Sequence, residues 1–81
     1  MNIRSIVTTQ FKRVGQEYGR PVAELSDDLE LLESGLDSLC LGIVVMRLEG
    51  ELGVDPFSSS EDTLFPVTFG DFVMFYERAC K

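Results

Sequence analysis

The run Leu36-Asp37-Ser38-Leu39-Cys40-Leu41-Gly42-Ile43-Val44-Val45-Met46-Arg47-Leu48-Glu49-Gly50-Glu51-Leu52-Gly53 has the punctuation of a complete helix. Asp37 and Ser38 are residue types whose side-chain oxygens cap the free N–H groups of a helix start. Gly53 supplies the left-handed residue that follows a last turn. The helix is therefore predicted from Asp37-Ser38 to about Leu52. At about 100° per residue, Leu41, Val45, Leu48 and Leu52 fall within roughly 60° of one another and form the predicted core stripe. Leu39, Ile43 and Met46 cluster on nearly the opposite side, and Gly50 continues their line. A chain of 81 residues is too short to bury a helix all round. The second stripe is thus expected as a partly exposed apolar patch, with Ser38 projecting between the two. Gly42 costs a helix interior roughly 1 kcal/mol relative to alanine, so a close approach by a neighbouring element or ligand is expected there.

Upstream, Ile3, Ile6, Val7, Phe11, Val14 and Tyr18 recur at helical spacing, with Gly19 and Arg20-Pro21 as the stop. The stretch from Pro21 to Asp37 keeps no clean period. It reads as a long ordered loop, pinned by leucines at 25, 29, 31, 32 and 36. Downstream, Ser60 with Glu61 and Asp62 opens a short helix that ends near Phe65, before Pro66. Thr68 and Asp71 resemble a capping box for a last helix, whose Phe69, Phe72, Val73 and Tyr76 share one face. Strand-like alternation is absent. The predicted fold is all-α, a four-helix bundle with a long loop between its first two helices and a short third helix.

Composition narrows the function. Residues 1–81 read as a single domain, and 44% apolar residues are ample for its core. The chain has no histidine, which removes the usual general base and the commonest metal ligand. Its net charge of −7 disfavours nucleic acid and anionic membranes as partners. From Pro21 to Asp62 eleven acids face Arg47 alone, a local −10 that suits partners with basic docking surfaces. Cys40 and Cys80 stand far apart without metal-ligand spacing, and read as free core thiols or as one disulfide. The acids lack the spacing of a calcium loop, so no metal site is assigned. No apolar run approaches about 18 residues, and Met-Asn-Ile-Arg is no leader. A cytoplasmic monomer is expected.

Leu32-Glu33-Ser34-Gly35-Leu36-Asp37-Ser38-Leu39 resembles the attachment site of the acyl carrier proteins, whose core is Asp-Ser-Leu after a Gly-hydrophobic pair. The likeness extends to a first helix, an acidic loop and the helices that follow. It implies that Ser38 is esterified by a 4′-phosphopantetheine arm, a covalent cofactor whose thiol carries an acyl group as a thioester. Asp37, Leu39 and Gly35 would border that cofactor. The placement is physically sound, because a helix N-terminus favours negative charge. Gly35 allows a sharp turn and an enzyme's approach. Leu36 and Leu39 bracket the serine and are expected to hold the turn against the bundle. With no histidine to activate it, Ser38 has no means of acting as a catalytic nucleophile, so the chain reads as a substrate of enzymes and not an enzyme.

Typical fatty-acid carriers place an acid about five residues after the modified serine, where this chain has Ile43. Docking is therefore assigned to Leu39, Ile43, Met46 and Arg47. A specialised carrier of fatty-acid or secondary-metabolite biosynthesis fits better than a housekeeping one. The implied partners are a phosphopantetheinyl transferase, an acyl- or aminoacyl-loading ligase, and a downstream acyltransferase or condensing enzyme. An aminoacyl or peptidyl carrier stays open as a second reading, and an unmodified helical interaction module as a third.

Overall fold

A computed structural model describes residues 2–56 and 66–80 of the chain. Among them lie three α-helices: α1 (Ile3–Glu17), α2 (Ser38–Leu52) and α3 (Phe69–Ala79). A 3₁₀ turn at Leu31–Glu33 interrupts the loop between α1 and α2. The only strand-type pairing among the described residues is one antiparallel bridge between Glu30 and Thr68. The short helix predicted at Ser60–Phe65 lies outside the described residues.

Each helix begins on a side-chain cap, which satisfies one of the N–H groups left free at a helix start. The Ser5 amide donates to Asn2 Oδ1 at 3.1 Å, the Cys40 amide to Asp37 Oδ1 at 2.9 Å, and the Asp71 amide to Thr68 Oγ1 at 3.1 Å. The end of α1 is a Schellman motif. Gly19 adopts φ 66°, its N–H donates to the Gln16 carbonyl at 3.4 Å, and the Arg20 N–H donates to the Gly15 carbonyl at 2.7 Å. Gly53 closes α2 in the same left-handed conformation, at φ 71°.

The core joins Val7, Phe11 and Val14 of α1 to Cys40, Leu41, Val44 and Leu48 of α2 and to Phe69, Phe72, Val73 and Tyr76 of α3. Phe11 is its hub. Its ring stands edge-on to Phe69 at 5.2 Å and to Phe72 at 5.4 Å. Such pairs add about 0.5–1.5 kcal/mol beyond the area they bury. Two expected faces need correction. Tyr18 is 49% exposed, because the helix has ended and Tyr18 is its C-cap. The buried stripe of α2 is Cys40, Leu41, Val44 and Leu48, with Val45 and Leu52 only half-buried. Among the described helices α1 is the main packing partner of α2. The leucine pattern alone pointed to a face about half a residue step away.

The loop from Pro21 to Asp37 is laced into place by its backbone. The Leu31 N–H donates to Val67 at 2.9 Å, Phe69 to Leu29 at 2.8 Å, Gly70 to Asp27 at 3.0 Å and Ala23 to Ser34 at 2.8 Å. Arg4 of α1 pairs with Asp27 of the loop at 2.6 Å. Leu31 and Leu36 are buried, Leu25 packs against the core, and Leu32 points out at 78% exposure. The expected pinning by leucines therefore holds for some of them and fails for Leu32. No helix among the described residues is long and apolar enough to cross a membrane.

Glycine substitutions separate the two kinds of helical glycine. Among the described residues a Cβ at Gly42 meets nothing within 4 Å, so none of them makes the approach expected there. Gly42→Ala is predicted to raise stability by about 0.5–1 kcal/mol. A Cβ at Gly15 would press on Val22 and stand 2.7 Å from the Arg20 carbonyl oxygen. Gly15→Ala should lower stability by about 1–3 kcal/mol through overpacking. Urea denaturation of the two variants checks both signs.

Candidate functional site

The site is the turn that delivers the chain into α2. Ser34 is fully buried, and its hydroxyl donates to the Leu31 carbonyl at 2.6 Å while accepting from the Leu36 N–H at 3.4 Å. A buried hydroxyl needs such partners, and here they fold the chain back on the 3₁₀ turn. Gly35 follows at φ 103°, where a side chain would be strained and its Cβ would strike the Pro21 carbonyl. Leu36 then drops into the core at 2% exposure. Leu39, expected to share that anchoring, does not. It is 69% exposed, since it lies a full residue step outside the stripe that begins at Cys40.

Asp37 uses both carboxylate oxygens. Oδ1 accepts from the Cys40 N–H at 2.9 Å, and Oδ2 forms an ion pair with Arg20 Nη2 at 2.9 Å. The Cys40 N–H, then the Cys40 thiol and then the Arg20 charge hold its pKa below the ordinary 3.8. The Cys40 thiol moves the other way, pushed up by burial and by the Asp37 carboxylate. Neither cysteine is in a disulfide: Cys40 is buried and Cys80 exposed. Ser38 is the first residue of α2 and is exposed. An exposed hydroxyl at the positive end of a helix, with first-turn N–H groups around it, suits a phosphate ester. Among the described residues no group of three acids or cysteines stands close enough to hold a metal ion.

The other predicted residues divide. Met46 is 65% exposed and shares the outer face of α2 with Leu39. Ile43 is half-buried and packs against the core. Arg47 is turned back against α1, its Nη1 and Nη2 bonded to Glu17 Oε2 and Oε1 at 2.6 and 2.8 Å. It stands at the α1–α2 seam, apart from Leu39 and Met46. On the inner side, Leu41 joins Glu30, Leu31, Leu32, Pro66 and Val67 around an apolar cleft of about 260 Å³. Two residues had escaped the sequence reading: Ser34, whose signal is a hydroxyl residue directly before a turn glycine, and Arg20, whose pairing spans the loop and has no local signal.

The chain matches the phosphopantetheine attachment site family over residues 12–60, a span that includes the whole of this turn. It belongs to that family, a family of carrier domains that take a covalent 4′-phosphopantetheine and perform no catalysis themselves. It is 30% identical over 60 residues to the non-reducing polyketide synthase CTB1 of Cercospora beticola and 28% identical over 60 residues to its counterpart in Cercospora nicotianae. Each alignment takes in 74% of this chain but only 3% of the relative's length. No solved structure matches the chain.

The capping carboxylate has a pH signature. Because the folded-state pKa of Asp37 is depressed, its contribution is complete above the ordinary value of 3.8 and is lost as pH falls through the lower folded value. Asp37→Asn keeps a capping oxygen but removes the charge. Unfolding free energies measured between pH 5 and pH 2 (about one to two units either side of a normal aspartate pKa) should fall less steeply in the variant than in wild type.

Proposed function

We propose that Ser38 Oγ carries the phosphopantetheine arm, and that the chain is an acyl carrier of polyketide-type or related secondary biosynthesis. The observation that carries this reading is the exposed Ser38 hydroxyl at the first position of α2, placed by the Gly35 turn and the Asp37 cap. Once attached, the group supplies a terminal thiol on which an acyl chain travels as a thioester. Asp37 caps the first turn of α2, and Gly35 lets the chain turn tightly against Pro21 just before it. The likeness to polyketide synthases supports an acyl cargo over an aminoacyl one. The partners are then a phosphopantetheinyl transferase, a loading ligase, and an acyltransferase or condensing enzyme, met in the cytoplasm by a monomeric carrier domain.

Two experiments test this. After incubation with a broad-specificity phosphopantetheinyl transferase and coenzyme A, the intact mass should rise by one phosphopantetheine, and Ser38→Ala should abolish the rise. A wild-type mass that stays unchanged while a known carrier is modified in the same reaction overturns the carrier reading.

For docking, Leu39 and Met46 form the exposed apolar face of α2, beside an acidic segment that suits basic partners. Leu39→Glu should fold with stability within about 0.5 kcal/mol of wild type, as expected of an exposed position. Its rate of loading or transfer should fall about tenfold, the loss of one anchor worth roughly 1.4 kcal/mol. Ile43→Glu should lower the melting temperature as well, since its side chain is half in the core.

A further inference from the structure

Arg20 belongs to the loop, yet it reaches the start of α2. Its backbone has little freedom, because its N–H closes the Schellman motif on the Gly15 carbonyl at 2.7 Å and Pro21 follows with a fixed φ. From that anchorage the guanidinium extends to Asp37 Oδ2 at 2.9 Å, immediately before Ser38 in the chain. The other oxygen of Asp37 is committed to the Cys40 N–H. Arg4 is engaged with Asp27 and Arg47 with Glu17, and from Pro21 to Met46 the sequence has no base at all.

A phosphodiester on Ser38 would add a second negative charge directly beside the Asp37 carboxylate. Like charges at this spacing repel, and the dipole of α2 relieves only part of that. Asp37 already takes one of the first-turn N–H donors. A guanidinium has five N–H donors in a planar fork that suits two oxyanions at once. The ion pair with Asp37 is made through Nη2. Exposed for about half of its side-chain surface, Arg20 is free to turn toward an added group.

Building on the assignment of the arm to Ser38, we propose that Arg20 is the counter-ion of its phosphodiester, bridging that group and Asp37 in the modified protein. Arg20 then acts as a positioning residue. It fixes the first atoms of the arm relative to α2 while leaving the thiol end free.

The test uses the full chain in its unmodified and phosphopantetheinylated forms, each verified by intact mass. In ¹⁵N-resolved spectra of wild type, the Arg20 Nε–H resonance should shift on modification, and the shift should shrink as salt is raised. The melting-temperature change on modification should be less favourable in Arg20→Gln than in wild type by about 4 °C, the scale of one surface charge pair in a domain of this size. Comparing the two forms of each variant cancels any effect of the substitution on the unmodified fold. Arg20→Lys should recover part of the difference, because it keeps the charge and loses the fork. An Arg20 resonance that does not move, or a modification effect equal in wild type and Arg20→Gln, overturns the proposal and leaves the Ser38 assignment standing. A mass gain that persists in Ser38→Ala overturns both.

Discussion

The structure depends on the place where the chain crosses itself, with Gly35 set against the Pro21 carbonyl. Only a residue without a Cβ fits there, in a left-handed conformation at φ 103°. The contact holds the segment after α1 beside the segment before α2, and the Ala23–Ser34 backbone bond ties the two together at 2.8 Å. From it follow the burial of Ser34 and Leu36, the entry angle of α2 and the projection of Ser38 into solvent. A helix cap by itself would set the start of α2 but not its direction.

The loop between α1 and α2 is a structural element in its own right. It lends Leu31 and Leu36 to the core and donates to or accepts from the backbone at the start of α3. Long loops without such satisfaction would leave buried backbone groups unpaired, at a cost of about 1–3 kcal/mol each. Gly70 shows how close the fit is. A Cβ there would stand 2.8 Å from the Asp27 carbonyl oxygen. The loop and α3 therefore meet backbone to backbone, and the site borders a surface that packing holds still.

How much of this was legible depended on whether the signal was local. The caps at Asp37 and Thr68 and the stops at Gly19 and Gly53 lie within a turn of the helices they bound, and all four stand where the residue types indicate. The cap at Asn2 was equally local but went unread. The start of α2 at Ser38 was legible, since its capping residue Asp37 is also its neighbour in sequence. The rotation of α2 was not. Periodicity shows that a helix has two faces, but which of them turns inward, here the one with Cys40 and Val44, is set by packing partners that no window along α2 contains. The outward turn of Leu32, the ion pair of Arg47 with Glu17 and the reach of Arg20 to Asp37 belong to the same group. Each is decided by partners distant in sequence.

The burial of Cys40 has a chemical consequence for a protein whose working end is a thiol. With the arm on Ser38 as proposed, a thiolate at Cys40 would lie two residues from it and would be an acceptor for thioester exchange. That reaction requires the deprotonated sulfur and access to it. Cys40 is 1% exposed, and its thiol is kept protonated by that burial and by the Asp37 carboxylate. The aspartate that caps α2 thus also quiets the nearest sulfur in the sequence, which on the proposed reading keeps a thioester at Ser38 from passing to Cys40.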